Sequence, residues 1–425
     1  MKKLRESLAE KLGDVEINYG SFLAPGTYGS FEEMDSIVPS NGRVRDDLHS
    51  YIGEFPFASF VAGFLSLELN DKLAFDGNSE HRKLTNVPEY ENCAAVSDRL
   101  VKEFESLPWA YNFSFRLPVS FSRIFCEYVK DFNLSDDVFI RSGNSMGDEF
   151  PLVSGIELRD KSIASNYGRI DLFTPVKPEW EIDRAYLCVR VYGFVGKYIH
   201  SEPVVRAIDA MRAFYGLCCA ERLMRSGNGY VSMSSRERYL THRFENGEWR
   251  VEDFGSIEER HADAIGDLIL DDLGGRTAND EDFARRMKNE LKSIGVAYRS
   301  GDRARNVMLG AQWLFDVLCG TDELLQFVQA AVVMEILLGD KASSDQTGLG
   351  ELLANRCAYL VADSHTQRRE ILEMFRKIYE VRSKIVHRGK SRLNNAEREL
   401  FATLRWLCFR VIQEEVKLLE KDGRQ

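Results

Sequence analysis

The chain has 425 residues, of which 44% are apolar and 29% charged, and its net charge is −11. This length allows two or three domains with cores of their own, and the acidic balance argues against a protein that coats nucleic acid. Apolar runs stay short of the ~20 residues that a membrane helix needs, and the basic first residues lack the apolar core of a signal peptide. The eight cysteines form no C-x-x-C pair, which favours a reducing cytoplasm without disulfides or zinc.

Residues 1–255 predict an α+β N-terminal domain with a mixed or antiparallel sheet, which we expect to act in sensing or recognition. A helix is predicted at Val204–Met224, where apolar residues recur with the helical period. The runs Tyr239–Phe244 and Trp249–Phe254 predict a hairpin, because Asn246-Gly247 between them favours a tight turn. Further strands are predicted from β-branched or aromatic runs at Phe64–Leu69, Tyr111–Leu117, Gly155–Leu158, Arg169–Phe173 and Ala185–Tyr192.

The rest of the chain changes character, since proline is absent after residue 203 and strand-like alternation ends near residue 254. We predict a helical linker region at 256–300 and an all-α bundle at 301–425. An Asn or Asp at the end of the loop 271–280 should cap the helix that follows, and Asn394 or Asn395 should cap the last helix. The helical period predicts helices at 257–272, 280–296, 302–319, 322–338, 348–361, 366–387 and 394–420.

The most informative residues are Arg382 and His387, near the end of one predicted helix. An arginine is a permanent planar cation suited to phosphate, and a histidine can transfer a proton near neutral pH. Five residues correspond to about 140° around a helix, so the two side chains do not share one face. Either the helix ends between them, with Gly389 as its cap, or a two-fold dimer brings the arginine of one chain to the histidine of the other.

Three pieces of sequence occur in order around these residues. The first is an apolar helix with Ala331-x-x-x-Glu335, the second a helix with an internal Arg356, and the third the ending Tyr379-x-x-Arg-Ser-x-Ile-x-His. Over roughly residues 300–420 this resembles the HEPN family, and within it the Apea-like branch of bacterial anti-phage defence proteins. The chain differs from that branch at Arg388, which stands between the histidine and the glycine, where the branch more often has His-Gly directly.

The resemblance implies an all-α HEPN-like helical bundle that forms a homodimer through its C-terminal helices. It implies a metal-independent endoribonuclease without a cofactor, in which His387 is the general base or acid and Arg382 stabilises charge on the phosphorus. The products would carry a 2′,3′-cyclic phosphate and a 5′-hydroxyl. The role would be that of a toxin-like abortive-infection effector, cleaving host or phage RNA or tRNA when the N-terminal domain meets a phage-derived trigger.

Supporting roles are predicted for residues around this pair. Glu335 lies in an apolar run, and a buried carboxylate needs a cation, for which Arg356 and Arg382 are the candidates. Tyr379 lies one turn before Arg382 and either packs in the core or lines the cleft. The segment from His365 to Arg410 has twelve basic and five acidic residues, a net charge of +7 that suits a phosphate backbone. The substrate-binding candidates beside the motif are Ser383, Lys384, Arg388 and Lys390.

Other interpretations of the same residues stay open. Arg382 and His387 can be a surface arginine and a helix-terminal histidine that the helix dipole favours. A HEPN-like bundle can also bind RNA or protein without cutting it. A toxin controlled by a nucleotidyltransferase antitoxin is disfavoured, because that control modifies a tyrosine just after the histidine, and here Arg388-Gly389-Lys390-Ser391 follows.

Overall fold

The computed structural model describes residues 2–19, 21–38, 42–73, 80–152, 158–159, 175–176, 180–196, 201–227, 238–275, 279–339 and 349–423. The chain divides into two compact units. Unit 1 comprises Met1–Tyr111 and Arg190–Ala207, and unit 2 comprises Asn112–Val189 and Ile208–Gln425. An N-terminal α/β region with antiparallel sheets and a C-terminal helical region are confirmed.

The elements within the described residues have these bounds. The helices are α1 Lys2–Leu12, α2 Thr27–Glu32, α3 Gly42–Ile52, α4 Pro56–Lys72, α5 Cys93–Glu105, α6 Val119–Tyr128, α7 Gly143–Glu149, α8 Glu202–Ala220, α9 Glu259–Asp267, α10 Asp280–Arg299, α11 Arg305–Cys319, α12 Glu323–Leu338, α13 Leu349–Val361, α14 His365–Arg388 and α15 Asn395–Asp422. The strands are β1 Glu16–Asn18, β2 Phe22–Leu23, β3 Arg82–Lys83, β4 Trp109–Arg116, β5 Asp131–Asn133, β6 Val138–Ser142, β7 Leu158–Arg159, β8 Pro175–Val176, β9 Ala185–Gly193, β10 Met224–Ser226, β11 Arg238–Glu245, β12 Glu248–Ser256 and β13 Leu268–Leu270.

Unit 1 is built around α4, an apolar helix whose Phe60 ring lies 5.4 Å from Phe104 and 4.8 Å from Phe194. The predicted strand Phe64–Leu69 is wrong, because it lies inside this helix. A helix that is apolar on every side loses the 3.6-residue signature, so its sequence cannot be told from a buried strand. The stretch Gly42–Asn70 is long and apolar enough to cross a membrane, but 67% of its most apolar window is buried, as in a core helix.

Unit 2 contains most of a six-stranded sheet with the order β12-β11-β4-β9-β6-β5. The predicted hairpin is confirmed: β11 pairs antiparallel with β12, and its turn has positive φ at Asn246 (54°) and Gly247 (89°), the conformation that Asn-Gly adopts readily. Strands are also confirmed at Tyr111–Leu117 and Ala185–Tyr192, as β4 and β9. The predicted strand Arg169–Phe173 and most of Gly155–Leu158 lie outside the described residues.

The predicted helices of the second half are confirmed from α10 to α15, with small differences at their ends. Asn279 caps α10 by accepting from Asp282 N, and Asn394 forms a capping box with Glu397 at the start of α15. The predicted helix 257–272 is only partly right. It ends at Asp267, and Leu268–Leu270 forms a strand that pairs with Met224–Ser226. The predicted helix Val204–Met224 also ends early, at Ala220, before this paired strand begins.

Side chains join the helices of unit 2 across long distances in sequence. Tyr298 of α10 donates a hydrogen bond to the carbonyl of Ala210 in α8 (2.6 Å), and Gln413 of α15 donates to that of Ala220 (2.6 Å). Gly216 of α8 lies so close to α11 that an added Cβ would come within 1.9 Å of the Ala311 carbonyl oxygen. The predicted ranges 1–255, 256–300 and 301–425 do not coincide with the two units, and they remain a prediction about parts that fold independently.

Candidate functional site

Helix α14 carries both motif residues without a break. It runs from His365 to Arg388, begins where Ser364 accepts from Gln367 N, and ends at Gly389, whose φ of 63° is left-handed. The first of the two predicted routes, a helix that ends between Arg382 and His387, is therefore wrong. On one regular helix the two side chains diverge by about 140°.

The two motif residues have different surroundings. The buried residues of α14 are Ile371, Phe375, Ile378 and Val381, spaced three or four apart as on one helical stripe. Arg382 adjoins this stripe, and its side chain is 27% exposed. His387 lies one and a half turns further on and is exposed. The helix therefore holds the arginine against the protein and presents the histidine to solvent.

Glu335 of α12 is the partner that holds Arg382. The Nη2 of Arg382 lies 3.3 Å from Oε1 of Glu335, and the hydroxyl of Tyr379 donates to the same oxygen at 3.1 Å. Burial and the adjacent carboxylate raise the pKa of Tyr379 well above its usual range, so this phenol is a hydrogen-bond donor and not a base at neutral pH. The carboxylate is only 22% exposed, and its pairing satisfies the requirement of a charge in an apolar run.

The remaining predicted residues lie around this cluster. Arg356 of α13 donates through Nη1 to the carbonyl of Leu338 (2.8 Å), in the last turn of α12, where carbonyls lack helical partners. Ser383 and Arg388 are exposed, and Lys384 is half-buried with its amine 2.8 Å from Glu380. The structure thus brings together Glu335, Tyr379 and Arg382, and it leaves the side chain of His387 apart from them.

The cluster can orient one cation, Arg382, and the same helix carries His387, a residue that can transfer a proton. The Nη2 of Arg382 is held by Glu335 and its Nε is buried. This fixes the orientation of the guanidinium and lowers the entropy lost when Nη1 binds an oxyanion. In the described part of the chain, no group of three or more His, Cys, Asp or Glu side chains is placed to hold a metal ion.

A second carboxylate cluster in unit 2 escaped the sequence analysis. Asp316 of α11 accepts from Nε2 of His261 in α9 at 2.9 Å and from Nε of Arg212 in α8 at 3.2 Å. Burial tends to raise the pKa of Asp316, but the hydrogen bonds from His261 and Arg212 outweigh it and hold that pKa below its usual value. The signal was present in the sequence: Asp316 lies in an apolar run, as Glu335 does, and should have been expected to have a cationic partner.

Searches of protein-family models, of curated proteins and of solved structures found no match to this chain.

Proposed function

We propose that this protein is a metal-independent endoribonuclease of the HEPN type, active as a homodimer in the cytoplasm. The observation that carries the proposal is the uninterrupted helix α14, on which Arg382 pairs with Glu335, the carboxylate that also accepts from Tyr379, while His387 is presented to solvent. These are the two groups that phosphodiester cleavage by the RNA's own 2′-hydroxyl requires: a proton-transfer group and a fixed cation.

The reaction needs two proton transfers and no external nucleophile. A base removes the proton of the 2′-hydroxyl, the oxygen attacks the adjacent phosphorus, and the bond from phosphorus to the 5′-oxygen breaks. The leaving oxygen takes up a proton, so that the products are a 2′,3′-cyclic phosphate and a 5′-hydroxyl. His387 supplies proton transfer, and Arg382 stabilises the negative charge that develops on the phosphoryl oxygens.

A two-fold dimer accounts for the divergence of the two side chains on one helix. An isologous contact between the C-terminal helices would place the histidine of one protomer opposite the arginine of the other, and a second time by symmetry. The charge of the region supports an RNA substrate, since Arg388 and Arg392 are exposed and neither forms an ion pair within the described residues. Both cations are therefore available to phosphates.

The physiological role belongs to the same proposal. Residues 1–255 would act as a sensor for a phage-derived trigger, and cleavage of host or phage RNA or tRNA would stop the infected cell. This part rests on the resemblance of the residues around Arg382 and His387 to the Apea-like HEPN branch.

The test is RNA cleavage by Arg382→Ala and His387→Ala variants. Loss of one transition-state contact commonly lowers the rate by about two to three orders of magnitude, and we expect this for each variant on end-labelled RNA in EDTA. His365→Ala is the matched control, because His365 is an exposed histidine at the opposite end of the same helix. Growth arrest on expression should follow the same order as cleavage.

Two results would overturn the assignment: unchanged cleavage in both alanine variants, or cleavage that requires Mg²⁺. A 2′-deoxy nucleotide at the scissile position should block the reaction, because the nucleophile is then absent. Arg382→Lys should remain poor, since an ammonium cannot give the planar two-pronged contact of a guanidinium.

A non-catalytic RNA- or protein-binding module is the second candidate. Arg388 favours it, because it stands between the histidine and the glycine and is exposed. This alternative predicts RNA binding that is unaffected by His387→Ala, together with no cleavage by the unaltered protein.

A further inference from the structure

One face of α14 carries two arginines on the same side of the helix as His387. Arg369 and His387 are eighteen residues apart, which is about five turns of a regular helix, so they point in the same direction. Arg376 lies eleven residues before His387, within about 20° of that direction. All three side chains are exposed. Two guanidinium groups therefore lie along the helix on the same side as the proposed proton-transfer residue, with Glu380 between Arg376 and His387.

The side chains of the two arginines on this face make no polar contact with other described residues. Neither Arg369 nor Arg376 forms an ion pair or hydrogen bond in the part of the chain that the structure describes. Two acidic residues share this side of the helix: Glu380, seven residues before His387, points within about 20° of it, and Glu373 lies about 40° away. Each is paired with a lysine one turn further on. Glu373 lies 3.0 Å from Lys377 and Glu380 lies 2.8 Å from Lys384.

Because both glutamates are paired with lysines, they repel a phosphate on this face less strongly than two unpaired carboxylates would. The pKa of Glu373 is lowered first by Lys377 and only then by Arg369 and Arg376. Lys377 is the main partner of the carboxylate, and the two arginines keep their donors for another acceptor.

We propose that this face, the α14 track of Arg369, Arg376 and His387, binds the phosphate backbone of the RNA on one side of the cleavage point. The inference rests on the proposed function and extends it from the reacting phosphate to its neighbours. The helical rise puts Arg376 about 16 Å and Arg369 about 27 Å from His387 along the axis. The track therefore contacts phosphates several nucleotides from the cut, and it reads no base.

The dimer gives this track a consequence for substrate length. A two-fold axis through the shared cleft generates a second track, so that one leads away from the cut on each side. A short oligonucleotide that fills only the cleft gains nothing from the arginines. A longer strand gains contacts on both sides, and an extended RNA segment is the substrate class that this arrangement selects.

The experiment combines substrate length with charge removal in the full-length protein. The variant is Arg369→Ala/Arg376→Ala, and the substrates are single-stranded RNAs of about 4 and about 16 nucleotides, a span typical of single-strand binding sites. The control is Arg398→Ala/Arg410→Ala, which removes the same charge from α15. Arg398 is paired with Glu323 (3.1 Å) and Arg410 with Glu414 (2.9 Å), so these two arginines are already engaged.

We expect the track variant to lower the ratio of kcat/KM on the long RNA to that on the short RNA by roughly tenfold, through KM. The slope of log affinity against log salt should fall by about 1.4 for two lost contacts with single-stranded RNA. The control should leave the ratio and the slope as they are. Equal losses on both lengths with a lowered melting temperature would mean that the arginines only stabilise the helix, and would overturn the track.

Binding separates the track from the proposed chemistry. Fluorescence anisotropy with a labelled 16-nucleotide RNA is measured in the His387→Ala protein, with and without the track substitutions. If the unaltered protein cuts no RNA but the track substitutions still weaken binding, the ribonuclease proposal fails and the track stands. If cleavage depends on Arg382 and His387 but length and salt dependence do not change, the track fails and the ribonuclease proposal stands.

Discussion

Unit 2 contains two clusters in which a carboxylate holds an arginine, and they differ in what the protein leaves uncovered. At Asp316 the side chains of the carboxylate, His261 and Arg212 are 9%, 2% and 18% exposed. At Glu335 the carboxylate and Arg382 are 22% and 27% exposed. The first cluster also contains a histidine, whereas the histidine near the second, His387, is exposed about one and a half turns beyond Arg382. Residue types alone therefore do not distinguish a structural cluster from a candidate site.

The packing around each cluster explains the difference. His261 stacks on Phe315, with ring centroids 5.6 Å apart, and Arg212 is shared between Asp316 and Asp209. Three helices converge there, and the carboxylate is occupied by donors from two of them. At Glu335 the partners come from a single helix, α14, whose last residues, Val386 to Arg388, are exposed. Only the second arrangement leaves an arginine within reach of a ligand.

The largest effect on stability should come from Asp316→Ala. Removing one partner of a buried ion pair leaves charge without compensation and commonly costs about 3–5 kcal/mol. We expect a loss of this size in the free energy of unfolding, measured by urea denaturation. Asp316→Asn, which keeps the shape, should lose less. If Asp316→Ala lost no more unfolding free energy than Glu335→Ala, the buried Asp316 cluster and the partly exposed Glu335 cluster would not differ in this way.

A buried histidine without such a carboxylate should respond to pH. His242 stacks on Trp180 (5.8 Å) and meets Phe150 edge to face (5.4 Å), and burial lowers its pKa to about 4 against an opposing effect from the Pro151 carbonyl. The folded state then binds the proton less well than the unfolded state, so the stability is present above about pH 6.5 and is lost as pH falls toward 4.

The shift corresponds to about 3 kcal/mol between those limits. His242→Phe should keep the aromatic packing and remove this part of the pH dependence, as seen in unfolding free energies at pH 7 and pH 4.5. A variant whose stability falls with pH as steeply as that of the unaltered protein would contradict the role of His242.

A smaller effect on stability and a larger one on activity are expected for Glu335→Gln. The amide keeps the shape but weakens hydrogen bonds to charged groups, which are worth about 1.5–3 kcal/mol each, and the partial exposure of the site reduces this loss. Arg382 would lose its fixed position, and misplacement of a catalytic group can lower the rate by up to about 100-fold. We expect the loss in kcat and not in KM, because Glu335 positions Arg382 and does not touch the RNA. A KM effect alone would contradict this.

The smallest effect should be that of Gly389→Ala. The residue has a left-handed φ of 63° with open space around its Cα, so the strain is that of the backbone alone, roughly 1–2 kcal/mol. Gly389→Asn should lose less, because asparagine tolerates this conformation. Thermal unfolding and the helix signal near 222 nm would report it. If Gly389→Ala left the stability unchanged, the end of α14 would be frayed and would not fix His387.

Local signals explain what the sequence predicted well. The helices from α10 to α15 have strong periodicity and capping residues, Asn279 and Asn394 among them, and the hairpin has its Asn-Gly turn. The pairing of Glu335 with a cation followed from one carboxylate in an apolar run. Each of these inferences needs only residues that are neighbours in sequence or on one helix.

Non-local partners explain what the sequence did not predict. Leu268–Leu270 is a strand because it pairs with Met224–Ser226, more than forty residues earlier, and nothing in either segment indicates the other. Phe64–Leu69 is helical because it continues α4, a mostly buried helix whose apolar residues show no helical period. The Asp316 cluster joins three helices, and sequence spacing gives no hint of which histidine meets which carboxylate.

The close approach of α8 to α11 at Gly216 has a consequence for how the chain can be divided. That contact, with those of Tyr298 and Gln413 to the carbonyls of α8, ties α8, which precedes α9, to α10, α11 and α15. Two pieces separated between α9 and α10, each missing half of this interface, should be insoluble alone and should recover a folded assembly when produced together. Unit 2 would then serve as a split reporter, whose reassembly measures the strength of the packing at Gly216.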